Sequence, residues 1–234
     1  MQDGFRLTQP QSARLRKLVR FYKPQMGKSW KERSSDELWI RVLSQVVAAG
    51  NAAPVYTLEN SVAVRERLAY ARLQKLPSRL RRQGIHCVLR AIGTRYVGEK
   101  PRNRKVDAAL HNFEAMVKAG GPQRFFNKLA ARKGTVAKIA YLSEHLKYFK
   151  KKGCRDILIE LQLASDCIAL DQRIRNILEA VGVQSDRRSI DRQYEEIERQ
   201  LLQKVAKRSG LTGGQLDRIL FQNYGDIMVR LLCP

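Results

Sequence analysis

The order of apolar and polar residues predicts helices along almost the whole chain. In "SSDELWIRVLSQVVAAG" the residues Leu38, Trp39, Val42, Leu43, Val46 and Val47 recur at three- and four-residue steps, which places them on one helix face. Ser34, with Glu37 three positions on, forms a capping box at the start of that helix, and Gly50 ends it. The stretch "ENSVAVRERLAYARLQKLPSRLRR" (59–82) predicts a basic amphipathic helix broken at Pro77. "GIHCVLRAIGTRYVG" follows, its start readable as helix or strand. "RNRKVDAALHNFEAMVKAGG" predicts a helix with a basic entry and a double-glycine exit, and "GPQRFFNKLAARKG" a short helix with its own glycine stop.

"TVAKIAYLSEHLKYFKKKG" predicts one helix whose last turn gathers Lys150, Lys151 and Lys152 before Gly153, where cations suit the negative helix end. A short apolar helix, "CRDILIELQLAS", a linker, "DCIAL", and a helix opened by Asp171 come next. "SIDRQYEEIERQLLQKVAKRSG" and "TGGQLDRILFQNYGDIMVRLL" supply one amphipathic helix each. There is no internal repeat and no alternation long enough to build a sheet. The expected architecture is therefore all-α: a basic N-terminal arm over 1–33 with a short helix through "SARLRKLVRFY", then a helical domain over 34–234 in two lobes flanking a cleft.

Charge changes the picture from fold to partner. Lys and Arg total 45 against 22 Asp and Glu, a formal charge of +23, more than solubility requires. The basic residues are spread among apolar ones at helical spacing instead of lying in low-complexity tails, so a folded surface for a polyanion is expected. Cys87, Cys154, Cys167 and Cys233 lie far apart, with no CxxC pair and no histidine at zinc-finger spacing, so no metal site or cofactor is read from them. Free thiols, no apolar run of membrane-spanning length and no secretory h-region lead to the expectation of a cytoplasmic, nucleoid-associated prokaryotic protein working as a monomer.

Candidate chemistry concentrates at 145–178. A basic turn such as "KKKGCR" can present backbone N–H groups and a helix N-terminus to a phosphate, and the linker then delivers Asp171 nearby. On spacing alone Asp171 is a helix N-cap, and a carboxylate so placed suits electrostatic or base roles better than acid donation. Arg173 and Arg175 just after it are candidate phosphate contacts. Trp39, Phe125 and Phe126 read as core, and Tyr96, His86, His111 and His145 as packed or solvated.

The segment "IALDQRIRNIL", preceded by a basic turn and an apolar helix, resembles the helix-hairpin-helix DNA glycosylase superfamily, whose "IxVDxxxxR"-like segment bears a catalytic aspartate; Asp171 falls on that position. "ELWIRVLSQVVAAGN" is similar to that family's first long helix, with Leu43, Ser44 and Gln45 as its "LSQ". "GTRYVGEKPRNRKVDAALHNFEAM" and "VAKRSGLTGGQLDRILFQNYG" resemble helices of the 8-oxoguanine glycosylase branches, the archaeal type in particular. The hairpin departs from the family's "LPGxGxKTA": it is degenerate, keeps one glycine, Gly153, and reads as about two residues shorter. Counted one way Arg155 stands near the lysine that forms a Schiff base in bifunctional members; counted the other way Gly153 does, beside Lys152.

The resemblance implies a DNA glycosylase acting on double-stranded DNA that carries a modified base. It would bend the duplex, flip the nucleotide and hydrolyse the N-glycosidic bond, with 8-oxoguanine as the base that the branch favours. Departure of the base leaves oxocarbenium-like charge on the sugar, which Asp171 would stabilise. Without a clean catalytic lysine the enzyme is expected to be monofunctional; Lys152 is the amine for any weak lyase activity at abasic sites. Lys150, Lys151, Gly153, Arg155, Arg173 and Arg175 are the expected DNA contacts, and Gln45 faces the base pocket or a helix crossing. Two alternatives fit the same residues: a glycosylase against hypermodified cytosine in phage DNA, serving antiviral defence, and a non-catalytic helix-hairpin-helix DNA-binding protein in which Asp171 is a cap only.

Overall fold

A computed structural model describes residues 5–98, 104–183 and 192–232, and among them every regular element is a helix. The chain divides into two compact units: a middle unit of residues 28–157, and a terminal unit built from 1–27 together with 158–234. None of the described helices is long and apolar enough to cross a membrane.

The middle unit is organised around α2 (Ser35–Ala48). Its capping box forms as the sequence predicts, with the Glu37 amide donating to Ser34 Oγ at 3.2 Å and the Ser34 amide to Glu37 Oε2 at 2.7 Å. The Ser34 amide, helped by the Ser34 hydroxyl, holds the Glu37 carboxyl below its usual range. All six residues of the predicted apolar face are fully buried. Gly50 takes a left-handed φ of 82° and turns the chain into α3 (Ala53–Asn60).

The single helix expected up to Pro77 is instead three pieces, α3, α4 (Val62–Arg67) and α5 (Tyr70–Gln74), before α6 (Ser78–Ala91). Ser61 starts a new helix by accepting the Val64 amide, and Leu68 is drawn into the core, its carbonyl taken by the Trp39 indole N–H at 2.9 Å. Tertiary partners here outweigh helical continuity. α7 (Arg104–Ala119) then lies against α2 and α6, with Phe113 edge-on to Trp39 and under the Arg81 guanidinium. Gly120 and Gly121, at φ 90° and 108°, make the expected double-glycine exit into α8 (Pro122–Ala130), which buries Phe125 and Phe126 completely. α9 (Gly134–His145) and α10 (Lys151–Glu160) follow.

The terminal unit corrects the reading of 1–33 as an arm. α1 (Gln9–Val19) is capped by Thr8 and buries Leu15, Leu18 and Val19 in one core with Ile174, Ile177, Ile197, Leu216 and Ile219. Its basic residues line the outer face of an ordinary amphipathic helix, and its apolar stripe needs the C-terminal helices for a partner. Those are α11 (Gln172–Ala180), α12 (Tyr194–Leu201) with a π-helical and 3-10 extension to Ser209, α13 (Gly213–Gln222) and α14 (Tyr224–Leu232). The last predicted helix is thus split at Asn223, whose side-chain amide turns back to the Ile219 carbonyl at 3.0 Å.

Candidate functional site

In the middle unit the predicted lysine-terminated helix is two helices with a turn between. α9 stops at His145, and Leu146 and Phe149, both buried, anchor the residues that cross to α10. Tyr148 adopts a φ of 68°, a left-handed conformation costly for any residue but glycine or asparagine. Buried Asn112 on α7 holds the turn by both backbone groups of Lys147, donating to its carbonyl at 3.1 Å and accepting its amide at 2.7 Å. His111 Nε2 lies 3.1 Å from the His145 carbonyl. Sequence reasoning gave Asn112 no role; the signal was a polar residue in line with Ala109, Phe113 and Met116 on a buried face.

This geometry corrects two expectations. Lys151 and Lys152 open α10 instead of closing α9, and Gly153 lies inside the first turn of α10 instead of in the hairpin. Lysines at a helix start meet the positive end of the dipole, which disfavours them. Packing does not demand glycine there: a Cβ would stand 3.4 Å from Gln45 Oε1 and 3.5 Å from the Tyr148 carbonyl, both ordinary contacts. Arg155, expected to face DNA, is 6% exposed, and its guanidinium donates back to the Lys151 carbonyl at 3.1 Å.

The structure brings Gln45, Lys152 and Gly153 together around Asp156, which sequence reasoning had not singled out. Asp156 Oδ2 accepts from Lys152 Nζ at 2.8 Å and from Gln45 Nε2 at 2.9 Å. Lys150 and Lys151 are exposed. Beside the turn, Arg104, Asp107, Ala108, His111, Lys147, Tyr148 and Lys150 line a groove of about 650 Å³ with several cations on its walls.

In the terminal unit Asp171 is the N-cap of α11, Oδ1 accepting the Ile174 amide at 2.9 Å. Among the described residues its Oδ2 accepts no hydrogen bond, and the side chain is half-buried. The linker before it belongs to no helix, yet each amide has an acceptor: Ile168 donates to Glu198 Oε1 at 2.9 Å, Ala169 to Asp217 Oδ1 at 2.8 Å, and Leu170 to the Tyr194 hydroxyl at 2.8 Å. That hydroxyl donates in turn to the Ile168 carbonyl at 3.0 Å. α13 closes on the same linker through Gly213, where a Cβ would meet the Cys167 backbone at 2.9 and 3.0 Å. Arg173 is exposed and packs over the Phe221 ring at 4.3 Å while donating to its carbonyl at 3.2 Å; Arg175 is half-buried.

No protein-family model matches the chain, and no curated protein matches it by sequence. Solved structures do. The 8-oxoguanine DNA glycosylase of Thermotoga maritima matches with a TM-score of 0.58 over 90% of this chain and 85% of its own, at 15% identity. The fold is that of 8-oxoguanine DNA glycosylases. The enzyme of Methanocaldococcus jannaschii matches with a TM-score of 0.60, covering 89% of this chain and 87% of its own at 16% identity. A second structure from that organism, the 8-oxoguanine glycosylase/lyase bound to DNA containing 8-oxoguanine, matches with a TM-score of 0.60 over 91% and 90% at 15% identity. The shared fold thus extends over about nine-tenths of the chain.

Proposed function

We propose that the protein is a DNA glycosylase that flips a modified base out of double-stranded DNA and hydrolyses its N-glycosidic bond, leaving the strand uncut. The observation that carries this is Asp171, with one carboxylate oxygen fixed as a helix cap, the other open, and the preceding amides held one by one, within a fold shared with 8-oxoguanine DNA glycosylases. A carboxylate held still beside the sugar stabilises the positive charge that grows as the base departs.

The turn supports the same reading. The family pattern "LPGxGxK" lays without a gap on Leu146 to Lys152, with Tyr148, left-handed, at the first glycine and Lys152 at the lysine. In this reading the hairpin is not shortened by two residues, and Lys152, not Arg155, takes the lysine position. In this reading Lys150 and Lys151, set against the helix dipole, contact phosphates, since an anion at that helix start would offset their cost. For the substrate base this reading takes 8-oxoguanine, the base on which the structural neighbours act.

Wild-type protein and Asp171→Asn should be incubated with duplexes carrying oxidised guanine, glucosylated hydroxymethylcytosine and other modified bases, with free base and strand breaks assayed separately. Asparagine caps a helix as well as aspartate does, so folding should hold to within about 0.5 kcal/mol. Base release is expected from wild type, with breaks only after alkali, and a roughly 10²- to 10³-fold loss in the variant. Binding without release from any duplex, unchanged in Asp171→Asn, would replace this reading with a DNA-binding module.

A further inference from the structure

We propose that Asp156 is the positioning residue that withholds Lys152 from covalent chemistry, so that this chain releases its base by hydrolysis; the proposal rests on the glycosylase reading above. The ion pair from Lys152 Nζ to Asp156 Oδ2 is 2.8 Å long and links residues one helical turn apart. A solvated pair of that kind is usually weak, because each side chain is free to swing away. Here the carboxylate is only 21% exposed, and the same oxygen is also held by Gln45 from a different helix. Gln45 in turn projects from α2, whose residues on either side, Ser44 and Val46, are buried, and its side-chain oxygen lies beside Gly153 of α10. Asp156 is therefore fixed from two sides, and Lys152 is paired to a carboxylate that does not move.

The chemistry this prevents is specific. In a lyase the neutral amine adds to C1′ of the ring-opened abasic sugar and the aldehyde oxygen leaves as water, giving an iminium. Loss of a C2′ proton to solvent then pushes electrons through the iminium and breaks the C3′–O3′ bond, releasing the 3′ phosphate. The first step needs the lone pair on Nζ, which the ammonium in the Asp156 pair lacks. With Lys152 so held, its contribution is a fixed positive charge, and water takes the place of the amine.

Full-length wild type, Asp156→Asn, Asp156→Glu, Lys152→Ala and the Asp156→Asn/Lys152→Ala double variant should be mixed with a duplex carrying one abasic site, and covalent adducts trapped with borohydride. Little adduct is expected from wild type and from Asp156→Glu, which keeps a carboxylate. Asp156→Asn should trap about tenfold more, the change expected on removing one adjacent opposite charge, and the double variant none of that gain. Gln45→Ala, which frees the carboxylate without removing it, should give a smaller rise and serves if Asp156→Asn unfolds. The proposal is overturned if Asp156→Asn and Gln45→Ala trap no more than wild type, or if the gain survives loss of Lys152. Because the abasic duplex carries no base, these outcomes are separate from base release, whose absence across the panel overturns the glycosylase reading alone.

Discussion

At Asp171 the two carboxylate oxygens have different occupations, and the residues that set this difference lie far away in sequence. Tyr194 both accepts from Leu170 and donates to Ile168, so Tyr194→Phe strands two buried backbone groups. It should cost about 1–3 kcal/mol in denaturant unfolding and lower base release with the aspartate still present. Gly213→Ala meets the Leu202 side chain as well as the Cys167 backbone and should destabilise by about 1–3 kcal/mol. Gly153→Ala is a useful contrast, since its contacts at 3.4 and 3.5 Å are ordinary packing. It should leave stability nearly unchanged, so any loss of DNA affinity would report on close approach of a phosphate. Lys105 is buried on α7, with Nζ donating to the Val47 carbonyl at 2.8 Å, and burial lowers its pKa from 10.5 to about 8. Between pH 8 and 10.5 the unfolded chain holds a proton that the folded chain has released, so stability should rise with pH across that window. Lys105→Met should remove the rise when the two are compared by denaturant titration at each pH.

At the scale of elements, the caps and the three-to-four-residue periodicity were legible because they are local. Ser34 with Glu37 and the apolar face of α2 needed nothing outside their own helix. The turn between α9 and α10 was hidden for the opposite reason: Tyr148 adopts a glycine-like φ without being glycine, and what stabilises it is Asn112, more than thirty residues earlier. Asp171 was legible as a cap, whereas the acceptors of its linker, Tyr194, Glu198 and Asp217, are one to each of three long-range contacts that no spacing announces. Moving the lysines from a helix end to a helix start also reverses the sign of their stability effect. Lys151→Gln should stabilise the protein by about 0.3–1 kcal/mol in thermal unfolding while weakening duplex binding. Its salt dependence should fall by roughly one unit of slope if Lys151 contacts a phosphate.

At the scale of the whole molecule, the formal charge is +23 and many of the described basic residues lie on helices, α1 among them, so duplex affinity is expected to fall steeply and linearly on a logarithmic salt axis. The terminal unit is assembled from two stretches, 1–27 and 158–234, that the middle unit separates in sequence. During synthesis the middle unit is complete while the C-terminal helices are still unmade. Leu15, Leu18 and Val19 of α1 must wait, with no core to enter, until α11 to α14 leave the ribosome. The acceptors that hold the Asp171 linker, on α12 and α13, arrive in that same last stretch. A chain interrupted before α12 therefore carries the basic turn while the linker to Asp171 still lacks each of the side chains that order it: a nascent protein whose cationic surface is made before its carboxylate is set.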